Sequence, residues 1–276
     1  IMGKTLVFGL GNNVDYELKW NASVLEDLIR QYMIDAWELN QPVIIDSERN
    51  LVISILSYIQ SETGGEQFIT DPSIIEEFAS RFQIQITMGG TPIRAAIAIS
   101  TLGYEATLHL VTMNDDVRRL MPPNCTYVQS CKEEHSFPHL IIQYPKDAYI
   151  CARDICLNTR RSNRIIYHHD LDNIVMEINE ELSSHCQDAK VFLISGLNAM
   201  QDEALLLERL EVLERIVSSL PEGAIVYYED GGFYDNRLKL VLNKAFGHAI
   251  DIYGMNEDEM MEYLGREVDL LNAKDV

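Results

Sequence analysis

Val191-Phe192-Leu193-Ile194-Ser195 and Ala224-Ile225-Val226-Tyr227-Tyr228-Glu229 decide the fold, together with the segment between them. Both runs are short, apolar and rich in branched or aromatic side chains, as strands buried on two faces are. Between them Asp202 to Leu220 reads as a charged amphipathic helix that ends near Pro221 and Gly223. Strand, helix and strand in this order predict parallel strands with a crossover helix.

Outward from this unit the alternation continues. Lys4 to Leu10 reads as a buried strand that breaks at Gly11-Asn12-Asn13. Val24 to Leu39 has helical spacing, with Leu25, Leu28, Ile29, Tyr32 and Met33 on one face. Leu51 to Ile59 and Ser73 to Arg81 also read as helices, the second with Asp71 as N-cap and Pro72 in its first position. Gly89-Gly90-Thr91-Pro92 precedes a small-residue helix, Ile93 to Leu102, with Gly103 to stop it, and Ala106 to Val111 reads as a strand. The fold class is therefore α/β with a mainly parallel sheet. One region differs: His139 to Tyr144, Tyr149 to Arg153 and Arg164 to His169 are short alternating runs that predict an antiparallel β-meander. The expected organisation is one α/β core over 1–276 with a small β lid inserted at about 15–22 and 135–170.

Composition narrows the function. Of 276 residues, 47% are hydrophobic and 24% charged, which is ordinary for a globular chain able to bury a sizeable core. The net charge of −21 argues against nucleic acid or an anionic membrane as partner, since both need a basic face. No apolar run nears the length of a membrane span, and the start does not read as a signal peptide. The cysteines are Cys125, Cys131, Cys151, Cys156 and Cys186, odd in number and without a C-x-x-C pair. That argues against a disulfide framework or a structural zinc and predicts a reducing cytoplasm.

Four motifs carry candidate chemistry. Gly9-Leu10-Gly11-Asn12-Asn13-Val14-Asp15 starts like a dinucleotide fingerprint, but Val14 replaces the third glycine and Tyr16 to Trp20 reads as strand, so that function is rejected. The turn is either a plain strand end or a polar cup in which Asn12, Asn13 and Asp15 hold polyol hydroxyls. Gly89-Gly90 before a helix either admits a ligand to the backbone or serves tight helix packing, and Arg94 leans towards function. Tyr227-Tyr228-Glu229-Asp230-Gly231-Gly232 places acids at a strand end, as a solvated loop would also do. In Tyr253-Gly254-Met255-Asn256-Glu257-Asp258-Glu259, Asn256 and Glu259 share a helix face. Such a carboxylate and amide suit the water shell of Mg²⁺, or simply a helix start favoured by its dipole. The histidines, His168-His169 included, have no metal-ligand spacing and read as structural or surface groups.

In their order these pieces resemble the ADP-dependent sugar kinases, the glucokinase and phosphofructokinase family of the ribokinase-like superfamily. The N-x-N-x-D type turn is similar to Gly11-Asn12-Asn13-Val14-Asp15, and the Gly-Gly sugar turn to Gly89-Gly90. The R-x-N-R return strand resembles Arg161-Ser162-Asn163-Arg164-Ile165-Ile166, and the strand with Ser-Gly resembles Ile194-Ser195-Gly196-Leu197. The H-x-E motif falls on Tyr227-Tyr228-Glu229 and the N-x-x-E motif on Asn256-Glu257-Asp258-Glu259. The likeness runs from about Lys4 to Leu264. Two departures stand out. Tyr227 replaces the motif histidine, and the family's late G-x-G-D, which carries its base aspartate, does not occur before Val276. The chain is then either a piece of a longer protein or one that lost that end.

The resemblance implies a three-layer α/β/α ribokinase-like core under a β lid. It implies a sugar kinase that takes a phosphoryl group from ADP, leaves AMP, and uses Mg²⁺. Asn13, Asp15, Gly89 and Gly90 would bind the sugar. Glu229, Glu259 and Asn256 would organise the metal through water, Glu229 also acting in catalysis. Arg164 would act in catalysis with Glu229, reaching the sugar or the phosphoryl group. Glucose and fructose 6-phosphate both remain open as acceptor; Arg153, Arg160 and Arg161 would serve a sugar phosphate or be surface charges. An ATP-using ribokinase-type enzyme and a non-catalytic sugar-binding protein on the same fold are the alternatives. No feature of the sequence demands an oligomer.

Overall fold

The structure, a computed structural model, describes residues 6–134 and 137–266. Its strands in chain order are β1 (Leu6–Leu10), β2 (Asn13–Leu18), β3 (Gly65–Phe68), β4 (Ile84–Gly89), β5 (Ala106–Leu110), β6 (Cys125–Gln129), β7 (His139–Tyr144), β8 (Tyr149–Ala152), β9 (Ile155–Asn158), β10 (Asn163–His168), β11 (Val191–Ser195), β12 (Ile225–Glu229) and β13 (Ile252–Gly254). They belong to two units. One takes Ile1–Asn12, Gly89–His135 and Leu171–Val276, the other Asn13–Met88 and Ser136–Asp170. Lys4 and Thr5 of the expected first strand, and His135 and Ser136 of the expected insert, lie outside the described residues.

The first unit holds a six-stranded sheet in the order β13-β12-β11-β1-β5-β6, and every neighbouring pair is parallel. The central strands β1 and β11 align Leu10 with Ser195, and β11 aligns Ile194 with Tyr228 on β12, so the carboxyl ends form one rim. Phe192, Ile194, Val226 and Tyr228 pack with Leu206, Leu210 and Leu213 of the helix Glu203–Val217, and with Leu238, Leu242 and Phe246 of the helix Asn236–Phe246. Full burial of each such side chain is worth about 1.5–3 kcal/mol. Asp202 caps the first of these helices by accepting from Leu205 N–H at 2.8 Å. The helix Thr91–Thr101 lies against β1, β5 and β11 and buries Pro92, Ile93 and Ala96.

The second unit holds a five-stranded sheet, β3-β10-β7-β2-β4, and a separate β8-β9 hairpin. The expected meander is corrected here. β10 and β7 are antiparallel, but β2 joins β7 and β3 joins β10 in parallel. Residues between β7 and β10 fold back on themselves as the hairpin, so strands from distant sequence complete the sheet. The unit is also larger than the expected insert of 15–22 and 135–170, because the helices Ala22–Gln31, Glu48–Ser61 and Ser73–Ala79 share a core with this sheet. Leu25, Leu28, Leu51, Ile55 and Phe78 meet Leu140, Ile142, Tyr144, Ile165 and Tyr167 there.

Local corrections have local causes. The helix expected over Val24 to Leu39 stops at Gln31; Met33 takes φ of 50° and is exposed, and a 3₁₀ turn follows at Ala36–Asn40. Asp71 accepts from Ser73 N–H at 2.8 Å, while Pro72 occupies the cap position itself. Cys151 and Cys156 form a disulfide, against the expectation of none, because the antiparallel hairpin sets the two residues directly opposite each other. Cys125, Cys131 and Cys186 are free. Among the described residues no helix is long and apolar enough to cross a membrane.

Candidate active site

The rim of the parallel sheet gathers much of the candidate chemistry. β12 ends in Glu229 and continues into Asp230, and its register with β13 sets Glu229 beside Gly254. Tyr227 and Glu229 are two apart on the strand and therefore project from the same face. The Tyr227 hydroxyl donates to Glu229 Oε2 at 2.7 Å, and that hydrogen bond, with burial, raises the pKa of the phenol. A Cβ on Gly254 would collide with both groups, so glycine there leaves the room that the pair occupies.

After β13 the chain turns into the helix Glu257–Leu264 with Asn256 as its N-cap. Asn256 Oδ1 accepts from Glu259 N–H at 2.9 Å, and Glu259 accepts from Asn256 N–H at 2.7 Å and from Asn256 Nδ2 at 3.0 Å. This reciprocal capping explains their three-residue spacing without any ligand. It also fixes Glu259 at the rim, 8% exposed. Burial raises the pKa of Glu259, and the carboxylates of Asp230 and Glu229 push it further up, while the Asn256 N–H and Lys239 oppose them.

Mg²⁺ keeps several waters and takes few protein oxygens. No group of three or more His, Cys, Asp or Glu side chains converges as direct ligands among the described residues. What the rim offers is two carboxylates, Glu229 and Glu259, beside a third, Asp230, that is buried against Lys239, and the charges of Asp230 and Glu229 add to the effect of burial at Glu259. That donor set fits a hydrated divalent cation held through its waters and does not fit a closed protein cage.

At the β1 end of the same rim, Gly90 has φ of 96°, and a Cβ on it would stand 2.9 Å from Gly11 O and 3.2 Å from Asn12 Cα. A side chain at Gly90 is thus excluded by both backbone angle and space. Gly89 closes β4, and Gly90 opens the helix Thr91–Thr101. Arg94 lies on the exposed side of that helix.

Asn12 does not serve as an open ligand. It is fully buried, donates to Thr112 O at 3.0 Å, and accepts from Val111 N–H and Thr112 N–H at 2.9 and 3.1 Å. Asn173 Nδ2 reaches Asn12 O at 2.9 Å, another contact that spacing could not reveal. His109 is structural as well. Its ring lies between Leu10 O at 2.9 Å and Asn179 N–H at 3.0 Å, and burial lowers its pKa to about 4. A cavity of about 370 Å³ in this unit is lined by Val111, Ser130, Cys131, Lys132, Glu133, Leu171, Asp172, Val175 and Glu177, none of them an expected site residue.

Asn13, Asp15 and Arg164 belong to the second unit. Asn13 Nδ2 donates to Asp15 Oδ1 at 2.6 Å, and Asp15 pairs in register with His139. His139 Nε2 stands 2.9 Å from Asp170 Oδ2, and its ring stacks on His168 at 4.7 Å. Burial depresses the pKa of His139, but Asp170, with Asp15 and Glu66, more than offsets that and raises it overall. Arg164 is exposed on β10. Arg153 pairs with Asp35 at 2.6 Å and Arg160 with Glu62 at 3.2 Å, as surface charges do.

A family model of the ADP-specific phosphofructokinase/glucokinase conserved region matches residues 4–269. The chain belongs to this family. ADP-dependent glucokinase of Bos taurus is 22% identical over 229 residues, 79% of this chain and 45% of that protein. A hypothetical ADP-dependent phosphofructokinase from Pyrococcus horikoshii OT3 superposes with a TM-score of 0.74 at 15% identity, over 95% of this chain and 65% of that one. An ADP-dependent kinase in complex with fructose-6-phosphate and ADPβS superposes with a TM-score of 0.68 at 12% identity, over 95% of this chain and 59% of that one. The family member described here thus spans less than half of that glucokinase and about two thirds of the Pyrococcus chain. Its fold is the ribokinase-like α/β/α core with a mainly parallel sheet and an accompanying small β-sheet.

Sequence reasoning missed Lys239. It is 3% exposed, lies 2.9 Å from Asp230 Oδ2 and 2.7 Å from Glu262 Oε2, and rests 4.5 Å above the Tyr263 ring. The signal was available: Lys239 precedes Leu242 by three and Phe246 by seven, so it sits on the apolar stripe of its helix.

Proposed function

We propose that the protein is a sugar kinase that transfers a phosphoryl group from ADP to a hydroxyl of a hexose or hexose phosphate. The observation that carries this reading is the placement of the family's two acidic motifs, at Glu229 and at Asn256–Glu259, on the ends of adjacent parallel strands. Phosphoryl transfer needs little covalent help; it needs a positioned hydroxyl and a neutralised phosphate. Mg²⁺, when bound, would supply that neutralisation. Glu229 and Glu259 would hold its water shell, with Asn256 orienting Glu259 and Tyr227 orienting Glu229. Gly89 and Gly90 of the first unit are assigned to sugar binding, where Gly90 leaves backbone bare of a side chain. Asn13 and Asp15 of the second unit are assigned to the sugar, and Arg164 of that unit to the sugar or the phosphoryl group in transfer. The three free thiols suit a cytoplasmic enzyme, with the Cys151–Cys156 pair as the feature that thiol titration would test.

The test offers the full-length protein ADP or ATP with glucose and with fructose 6-phosphate. AMP and a sugar phosphate from ADP are expected. Transfer from ATP alone would replace the donor, and calorimetric sugar binding without transfer would replace the enzyme with a sugar-binding protein.

A further inference from the structure

Lys239 joins two parts of the rim that are separate in sequence. Asp230 directly follows Glu229 and is fully shielded, its side chain 0% exposed. Its Oδ1 accepts from Gly231 N–H at 2.9 Å and Gly232 N–H at 3.3 Å, which leaves Oδ2 directed at the ammonium of Lys239. Glu262 and Tyr263 lie on the helix Glu257–Leu264, and Glu262 shares a face with Glu259 three residues earlier. One buried cation therefore grips the strand end that carries Glu229 and the helix that carries Glu259.

A buried lysine is costly and is retained only where its partners compensate. Packing alone does not call for one here, since Leu238, Leu242 and Phe246 already fill the helix face. We propose that Lys239 is a positioning residue, which through Asp230 and Glu262 fixes the spacing of Glu229 and Glu259 for a hydrated divalent cation. The role rests on the reading of the rim as a metal site. It also has an unusual sign. As a mere charge, Lys239 repels a cation, and its removal would tighten metal binding. As a positioning group, it loosens metal binding when lost.

The experiment measures Mn²⁺ binding to the full-length protein by paramagnetic resonance, beside the Mg²⁺ dependence of kcat and the KM for sugar. Lys239→Met is expected to weaken Mn²⁺ and raise the half-saturating Mg²⁺ about 10-fold, as loss of a group that orients metal ligands does, with sugar KM unchanged. Lys239→Arg should restore part of the loss. Glu262→Gln removes the more exposed arm, keeps Asp230 paired if Lys239→Met fails to fold, and should give a smaller loss of the same kind. Unchanged or tighter Mn²⁺ binding in the folded variants overturns the role of Lys239 alone. Absence of Mn²⁺ binding in the wild type overturns the metal reading of the rim, and the role falls with it.

Discussion

The two units bury charge in opposite ways. In the second, Glu48 is met by Arg81 through Nε at 2.6 Å and Nη2 at 2.8 Å, with the Tyr32 hydroxyl as a further donor. That carboxylate is matched by a bidentate cation and completes a core. In the first, burial raises the pKa of Glu259, and the carboxylates of Asp230 and Glu229 push it further up while the Asn256 N–H and Lys239 oppose them. A carboxylate matched by a bidentate cation marks a structural ion pair, whereas one held above its ordinary pKa by burial and like charge marks a place that a ligand's charge would relieve.

The sharpest way to break this contrast is Glu48→Ala. It removes a buried carboxylate that takes hydrogen bonds from Arg81 and Tyr32 and should cost about 3 kcal/mol, read by urea denaturation, with Mn²⁺ binding intact wherever the protein is folded. Glu259→Gln is the counterpart at the rim. Steady-state kinetics should show kcat lower by about 100-fold with sugar KM nearly unchanged; a loss confined to KM would count against the metal role. A third expectation concerns His139. Its folded pKa lies above the ordinary 6.5, so its contribution is complete below that pH and fades as pH rises through the raised value. Denaturation at a series of pH values should show His139→Gln costing about 1.5–3 kcal/mol in acid, the range for a charged hydrogen bond, and less in base. The smallest effect is expected of Tyr227→Phe, which loses the single hydrogen bond to Glu229. About 1 kcal/mol, or several-fold in half-saturating Mg²⁺, should be lost, and no change at all would detach Tyr227 from the site.

Much of the first unit was legible because its strands are continuous apolar runs and its helices carry clear caps. Val191–Ser195 was read to the residue, and Asp202 was placed at the start of its helix. The second unit was read less well. Its sheet combines strands as distant as β3 and β10, and periodicity along a chain says nothing about such partners. The same limit applied at the candidate site. Position and spacing left Glu229, Asn256 and Glu259 open between a site and a plain loop or helix start, and left Asn12 open between a strand end and a polar cup; Asn12 is consumed by backbone groups a hundred residues away.

Sequence alone determined the α/β class, the crossover unit, the family likeness and the acids at the strand ends, because these depend on neighbours in the chain. Tertiary structure alone decided the mixed order of the second sheet, the seat of Gly254 against the Tyr227–Glu229 pair, and the grip of Lys239 on two distant acids. Each of these depends on which surfaces meet when burial of apolar side chains brings separate segments together, and that is a property of the packed chain rather than of any stretch of it.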